Sequence, residues 1–258
     1  MFIRHNQAEL FTVSFGNTHQ HMLAVGGWTG SWELWTQPLS YLSQSWHTIA
    51  YDHRGTGATT APVESITVEN MVGDVFAVLD HFGVEECVLA AESSGCLIAL
   101  LAAQQQPQRF KGLVLAASVV YRPTLNTNDV FLKGPQHNYQ PTIDWFVDVC
   151  VPEPNSSAIK RWGRQILARA GQEAAIQLYK CVLGLDLRPQ LSQIQQPVLM
   201  LHGELDAIAP LEDAKWTASQ LPNCELRIFE ETGHVPTITC PHEVAETINR
   251  FFAPSRTL

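Results

Sequence analysis

A serine stands among small residues in the segment Ala91-Glu92-Ser93-Ser94-Gly95, directly after an apolar run. Small residues two positions before and two positions after a serine are typical of a sharp strand-to-helix turn, because such a turn brings those two positions close together. The turn would hold Ser93 above the edge of a sheet. It would also point the backbone N–H of Ser94 toward a developing oxyanion. The segment therefore predicts a nucleophilic serine.

Two later segments supply an acid and a base. Asp206 ends the sequence HGELD, which follows the apolar run 198–201, and His234 lies in GHVP, which follows 226–229. A histidine can take the proton of a serine hydroxyl when an acid orients its ring. Glu204 is the alternative acid, but a shorter side chain in a tight loop loses less rotamer freedom, which favours Asp206. We therefore predict Ser93 as nucleophile, His234 as base and Asp206 as acid.

Short apolar and β-branched runs alternate with helical patterns along most of the chain. This rhythm predicts a mostly parallel sheet flanked by helices, an α/β fold. A helix with one buried face is predicted over 68–82, ending before Gly83. Active sites of open α/β sheets gather at the carboxyl ends of strands, so loops far apart in sequence can meet there. The predicted strands are 22–25, 48–51, 87–91, 113–117, 198–201 and 226–229.

Residues 121–187 break this rhythm. The segment has no convincing strand, contains five prolines between positions 123 and 154, and shows helical patterns over 143–149 and 158–183. We predict a core domain of residues 1–120 and 188–258 with a small helical cap, 121–187, inserted in it. The cap tryptophans Trp145 and Trp162 are the candidates for contact with an apolar substrate.

Composition limits the possible partners. The chain has 258 residues, 45% hydrophobic and 16% charged, which is enough apolar material for one large core. The formal net charge of -9 and the absence of a Lys/Arg-rich run argue against nucleic acid and anionic membrane surfaces as partners. No signal-peptide core and no long apolar run are present, so we expect a cytoplasmic protein. The six cysteines form no CxxC pair, which predicts reduced thiols and no metal site.

Taken together, the motifs resemble those of the α/β-hydrolase superfamily. The serine turn is similar to its nucleophile elbow, HGELD with Pro210 to its HGxxDxxxP turn, and DHRGTG at 52–57 to its DxRGxG turn. The order Ser, acid, His is also that of the superfamily. The resemblance covers about 23–252 and implies that the N–H of Trp28, in the sequence GGW, is the second oxyanion donor. Ala91 and Gly26 depart from the usual glycine and histidine.

Within the superfamily, the DLRPQL segment and the spacing to GHVP are similar to small esterases and lactonases that include 3-oxoadipate enol-lactonase. The resemblance implies hydrolysis of a carboxylic ester or lactone of a small, apolar molecule through an acyl-enzyme, with no cofactor. Hydrolysis of a thioester, an amide or a carbon–carbon bond, and cofactor-free perhydrolysis, are alternatives on the same scaffold.

A different class of function is a ligand-binding signalling module that keeps the pocket with slow or no turnover. Labelling with a fluorophosphonate followed by a panel of p-nitrophenyl esters separates the two classes, because only an enzyme turns the esters over repeatedly.

Overall fold

An eight-stranded sheet forms the centre of the protein in the computed structural model, which describes residues 1–123 and 129–253. The strand order is β1-β2-β4-β3-β5-β6-β7-β8. The pairs β1/β2 and β2/β4 are antiparallel and all other pairs are parallel. The strands are β1 (Phe2–His5), β2 (Ala8–Phe15), β3 (His21–Val25), β4 (His47–Tyr51), β5 (Cys87–Glu92), β6 (Phe110–Ala116), β7 (Val198–Gly203) and β8 (Cys224–Phe229).

Helices cover both faces of the sheet, which explains why every residue of β5 and β7 is buried. α1 packs against α10, and α2 packs against α3. These helices are α1 (Thr36–Leu42), α2 (Val68–His81), α3 (Gly95–Gln105), α8 (Leu211–Gln220), α9 (Pro236–Thr239) and α10 (Pro241–Phe251). The predicted helix over 68–82 is confirmed. The Thr67 side chain caps its first turn, and Gly83, with φ of 64°, follows its end.

Four helices lie between β6 and β7: α4 (Val130–His137), α5 (Tyr139–Cys150), α6 (Ser157–Ala168) and α7 (Gln172–Val182). The helical pattern predicted over 143–149 is confirmed by α5, and that over 158–183 by two helices, α6 and α7. The two helices are separated at Gly171, whose φ of 74° lies in the left-handed region that favours glycine. α4 was not predicted. The boundaries of the proposed cap domain stay a prediction.

The two N-terminal strands were also missed. β2 alternates buried and partly exposed residues over its first six positions, with Ala8, Leu10 and Thr12 turned inward. Such alternation is typical of an antiparallel strand with one face toward the core. All six cysteines are free thiols, but three of them, Cys181, Cys224 and Cys240, are only half-buried. Among the described residues, no helix is long and apolar enough to cross a membrane.

Candidate active site

Ser93 lies in a strained turn between β5 and α3. Its φ of 52° is in the left-handed region, which a residue with a side chain rarely adopts. Gly95 must be glycine, because a Cβ there would come within 2.4 Å of the carbonyl oxygen of Gly26. The Ser93 N–H donates to the carbonyl of Ala116 in β6 at 2.9 Å. The turn therefore fixes the serine at the carboxyl end of the central strands.

The structure brings the three predicted catalytic side chains together. The Oγ of Ser93 lies 3.1 Å from Nε2 of His234, and Nδ1 of His234 lies 2.8 Å from Oδ2 of Asp206. All three residues are at most 7% exposed. With Nδ1–H donating to the carboxylate, Nε2 is the free acceptor for the serine proton. This is the arrangement that a nucleophilic serine requires.

Asp206 accepts two further hydrogen bonds. Its Oδ1 receives the N–H groups of Ile208 and Ala209 at 2.8 and 2.9 Å. Burial on its own would raise the pKa of Asp206, but His234 and the Ala209 N–H outweigh burial and hold it below the usual value. Asp206 is thus kept as a carboxylate. Glu204, the alternative acid, is exposed and accepts the N–H of Glu231, so it does not contact His234.

The histidine loop is held by the helices above the sheet. The N–H of His234 donates to the carbonyl of Cys150, the last residue of α5, at 2.8 Å. The N–H of Gly233 donates to the carboxylate of Glu153 at 2.9 Å. A Cβ at Gly233 would lie 2.3 Å from Pro152, so the contact requires glycine. The segment between β6 and β7 therefore helps to position His234.

The backbone N–H groups of Trp28 and Ser94 are candidates for binding an oxyanion. Neither donates a hydrogen bond to any group within the described residues, and both residues line a small cavity together with Ser93. The loop of Trp28 passes close to the serine, since a Cβ at Gly27 would lie 3.0 Å from the Ser93 Cβ. His53 supports this loop by donating from Nε2 to the Gly27 carbonyl at 2.9 Å.

An apolar cavity of about 50 Å³ opens beside Ser93 and His234. Glu92 is the only carboxylic acid among its described lining residues, and no lysine or arginine lines it. The described residues between β6 and β7 contribute only apolar groups and one thiol to the wall. These residues are Phe146, Val147, Cys150, Val151, Ile159, Gly163 and Leu167.

Neither Trp145 nor Trp162 lines this cavity, and their contact with a substrate stays a prediction. Trp145 is 41% exposed and packs on Phe131, while the next residue, Phe146, faces the cavity. One helical position rotates a side chain by about 100°. Trp162 likewise does not line the wall, although the next residue, Gly163, does.

Sequence reasoning missed Phe146 as a site residue. Its ring lies 5.2 Å from the Trp28 ring and 6.4 Å from the His234 ring, measured between centroids. It therefore covers both the oxyanion loop and the base. The apolar periodicity of α5, with Ile143, Phe146, Val147 and Cys150 buried, is the signal that could have identified it.

Glu92, directly before the serine, is a buried acid that the sequence analysis left without a role. It is 1% exposed and accepts a hydrogen bond from Thr237 at 3.2 Å. Burial raises the pKa of Glu92 to about 7, although His234 and Thr237 act in the opposite direction. The carboxyl group is therefore half-protonated near neutral pH.

This pKa predicts how Glu92→Gln affects stability. Between pH 4.5, the usual value, and about 7, the folded protein keeps a proton on Glu92 that the unfolded chain has lost, so rising pH destabilises the fold. Glu92→Gln lacks this pH-dependent loss of stability, because glutamine does not titrate. Its free energy of unfolding relative to wild type should rise by up to about 3 kcal/mol from pH 4.5 to 8.

Urea unfolding of both proteins at a series of pH values measures this difference. The exposed Glu204→Gln variant is the control, with a change below about 0.5 kcal/mol. A Glu92→Gln difference that stays constant with pH contradicts the expectation.

Comparison with known proteins agrees with this topology. A family model described as alpha/beta hydrolase fold matches residues 20–147. The chain is 24% identical over 230 residues to 3-oxoadipate enol-lactonase 2 of Acinetobacter baylyi, with 84% of each chain covered. It is 26% identical to pimeloyl-[acyl-carrier protein] methyl ester esterase of Nitrosomonas europaea, with 86% of this chain and 91% of that protein covered.

Solved structures show the same fold. The enol-lactonase from Burkholderia xenovorans superposes with a TM-score of 0.89 at 17% identity, covering 98% of this chain and 100% of the other. The esterase from Exiguobacterium antarcticum gives 0.87 at 20% identity, covering 95% of both chains. The predicted fold class is confirmed: the chain has the α/β-hydrolase fold, and the proteins it is similar to include esterases and enol-lactonases.

Proposed function

We propose that the protein is a serine hydrolase that cleaves a carboxylic ester or lactone through an acyl-enzyme on Ser93. The observation that carries the proposal is the continuous hydrogen-bonded series from Ser93 Oγ through His234 to Asp206, with distances of 3.1 and 2.8 Å. The names of the enol-lactonase and methyl ester esterase relatives support a bond of this class.

In the first half-reaction, Ser93 Oγ attacks the carbonyl carbon while His234 Nε2 takes its proton. The N–H groups of Trp28 and Ser94 donate hydrogen bonds to the carbonyl oxygen as it becomes negatively charged, and Asp206 stabilises the imidazolium. When the C–O bond to the leaving group breaks, His234 returns the proton to the leaving oxygen. The product of this half-reaction is an ester of Ser93.

In the second half-reaction, His234 takes a proton from water, and the resulting hydroxyl attacks the acyl carbon. The tetrahedral intermediate collapses, Ser93 Oγ regains its proton from His234, and the carboxylic acid leaves. The apolar wall of the cavity accommodates the apolar part of the substrate.

The cavity wall predicts selectivity for acyl chain length. Gly163 lines the cavity, and a Cβ there would lie 3.5 Å from Val147, an ordinary contact. A Cβ at position 163 therefore fits, and we expect the longer side chain of Gly163→Leu to occupy cavity space. We expect it to lower kcat/KM for p-nitrophenyl hexanoate relative to the acetate by about 10-fold.

The control for this experiment is Trp145→Ala, which changes an exposed aromatic residue outside the cavity. Its ratio of kcat/KM for the two esters should stay within about twofold of wild type, since it removes no cavity contact. A larger change in Trp145→Ala than in Gly163→Leu would reassign the acyl-binding wall.

Labelling with a fluorophosphonate, followed by steady-state kinetics on short p-nitrophenyl esters, tests the proposed function as a whole. We expect stoichiometric labelling that abolishes activity, and repeated turnover of at least one ester. A protein that binds the esters but releases no product beyond one equivalent contradicts the proposal and favours the ligand-binding module.

A further inference from the structure

A second, more polar cleft lies between the β6–α4 connection and α8. Its volume is about 240 Å³, and its lining includes Ser118, Tyr121 and Arg122 of the β6–α4 connection and Trp216 of α8. It shares no lining residue with the apolar cavity. The apolar cavity and the polar cleft are therefore separate spaces.

A small cavity of about 10 Å³ lies between the two spaces. It shares Trp28, Ser93 and Phe146 with the apolar cavity, and Arg122 and Ile208 with the polar cleft. Ser93 thus faces apolar residues on one side and the wall that contains Arg122 on the other. The connecting cavity has room for about one water molecule, so a substrate whose carbonyl lies at Ser93 reaches both spaces only when the side chains around it move apart.

Arg122 is firmly held in this wall. Its N–H donates to the carbonyl of Leu185 at 2.9 Å, and its carbonyl accepts the N–H of Gly184 at 3.0 Å. The guanidinium lies 5.8 Å from the Phe131 ring centroid and 5.7 Å from that of Tyr179. These contacts place a preorganised cation among aromatic rings, where burial lowers its pKa.

The charge of Arg122 is not compensated by an ion pair within the described residues. No carboxylate there lies within 4.0 Å of it, and its buried Nε has no hydrogen-bond partner. Asp129 attracts Arg122, but its carboxylate is engaged by the hydroxyl of Tyr179 and the N–H of Phe131. Arg122 is half-buried, and an anion supplied by a ligand would give its buried Nε the hydrogen-bond partner that it lacks.

Other polar groups of the cleft support an anion at this position. The Oγ of Ser118 is buried and also lacks a partner, so it can donate to a ligand. Arg188 differs from Arg122, because Asp186 already binds its guanidinium. Asp213 lines the cleft at an exposed position where solvent screens its charge, and no carboxylate lines the small cavity.

We propose that Arg122 is an anion-binding residue of this site, and that the substrate carries a carboxylate on the side of its scissile carbonyl opposite its apolar part. This proposal rests on the hydrolase function proposed above. The planar guanidinium matches a carboxylate, and its fixed position beside Ser93 selects substrates by charge.

Two matched ester pairs test the proposal, since each pair differs only in charge. One pair is 4-carboxyphenyl and 4-carbamoylphenyl butyrate, with the anion on the leaving group. The other is the mono-4-nitrophenyl ester of glutaric acid and that of glutaramic acid, with the anion on the acyl group. In one of the two pairs, we expect wild-type kcat/KM for the carboxylate ester to exceed that for its amide counterpart by about 10-fold or more.

In Arg122→Met, that ratio should fall toward one, whereas the control Arg188→Met should keep it. Calorimetry on Ser93→Ala should show the same preference as binding without turnover. A wild-type ratio of one or less in both pairs overturns the proposal whether or not Arg122→Met folds, and so does a preference that survives in folded Arg122→Met. Absence of turnover with all four esters contradicts the hydrolase function instead, and the calorimetry then still tests the anion site.

Discussion

Replacing Ser93 with alanine is expected to reduce kcat by about 10³-fold or more while the fold is retained. The variant loses the Oγ that lies 3.1 Å from His234 Nε2, and with it the atom that forms the acyl-enzyme. The backbone strain of the positive φ at position 93 is the same in both proteins, because alanine, like serine, has a Cβ. The experiment is steady-state kinetics on the ester that wild type turns over best, with circular dichroism to verify folding.

The control is Ser65→Ala, which removes an equally buried hydroxyl outside the site. It should retain kcat within about threefold, because hydroxyls that do not contact the reacting atoms affect stability more than chemistry. Turnover by Ser93→Ala at a rate comparable to wild type would mean that another group is the nucleophile.

Asp206→Asn is expected to lower kcat by about 10² to 10⁴-fold. The amide keeps the shape of the carboxylate, and its oxygen can still accept the Ile208 and Ala209 N–H groups. Its NH₂ group then faces His234 Nδ1 and favours the tautomer with the proton on Nε2. In that tautomer Nε2 cannot accept the Ser93 proton.

Glu204→Gln is the matched comparison, since it makes the same chemical change two residues away. Glu204 is exposed and contacts the Glu231 N–H, so its loss should cost less than about tenfold. Kinetics of both purified variants measure the difference. A nearly active Asp206→Asn beside an inactive Glu204→Gln would reverse the assignment of the acid.

The parts of the site that local sequence determines were predictable. The turn around Ser93 needs small neighbours because Gly95 passes within contact distance of the Gly26 backbone, and such a need is visible as a motif. Asp206 and His234 each follow a strand whose apolar run is easily recognised. Parallel pairing then brings these loops to one edge of the sheet, as the structure shows.

The parts that depend on packing between distant segments were not predictable from one sequence. Whether Phe146 or Trp145 faces the cavity depends on the rotation of α5 about its axis. Contacts of α5 with Trp28 and with the histidine loop determine that rotation. Arg122 gains its position from backbone pairing with residues 184 and 185, more than 60 positions along the chain. The raised pKa of Glu92 likewise follows from burial that no local pattern encodes.

The central claim is that Ser93 carries the acyl group of the substrate during turnover. Mixing wild-type protein with excess p-nitrophenyl butyrate, quenching in acid before steady state and mapping peptides by mass spectrometry tests this claim most directly. We predict one butyryl group on the peptide that contains Ser93, and none after the same treatment of Ser93→Ala. A butyryl group on another residue, or an active enzyme that never carries one under any quench time, would contradict the account.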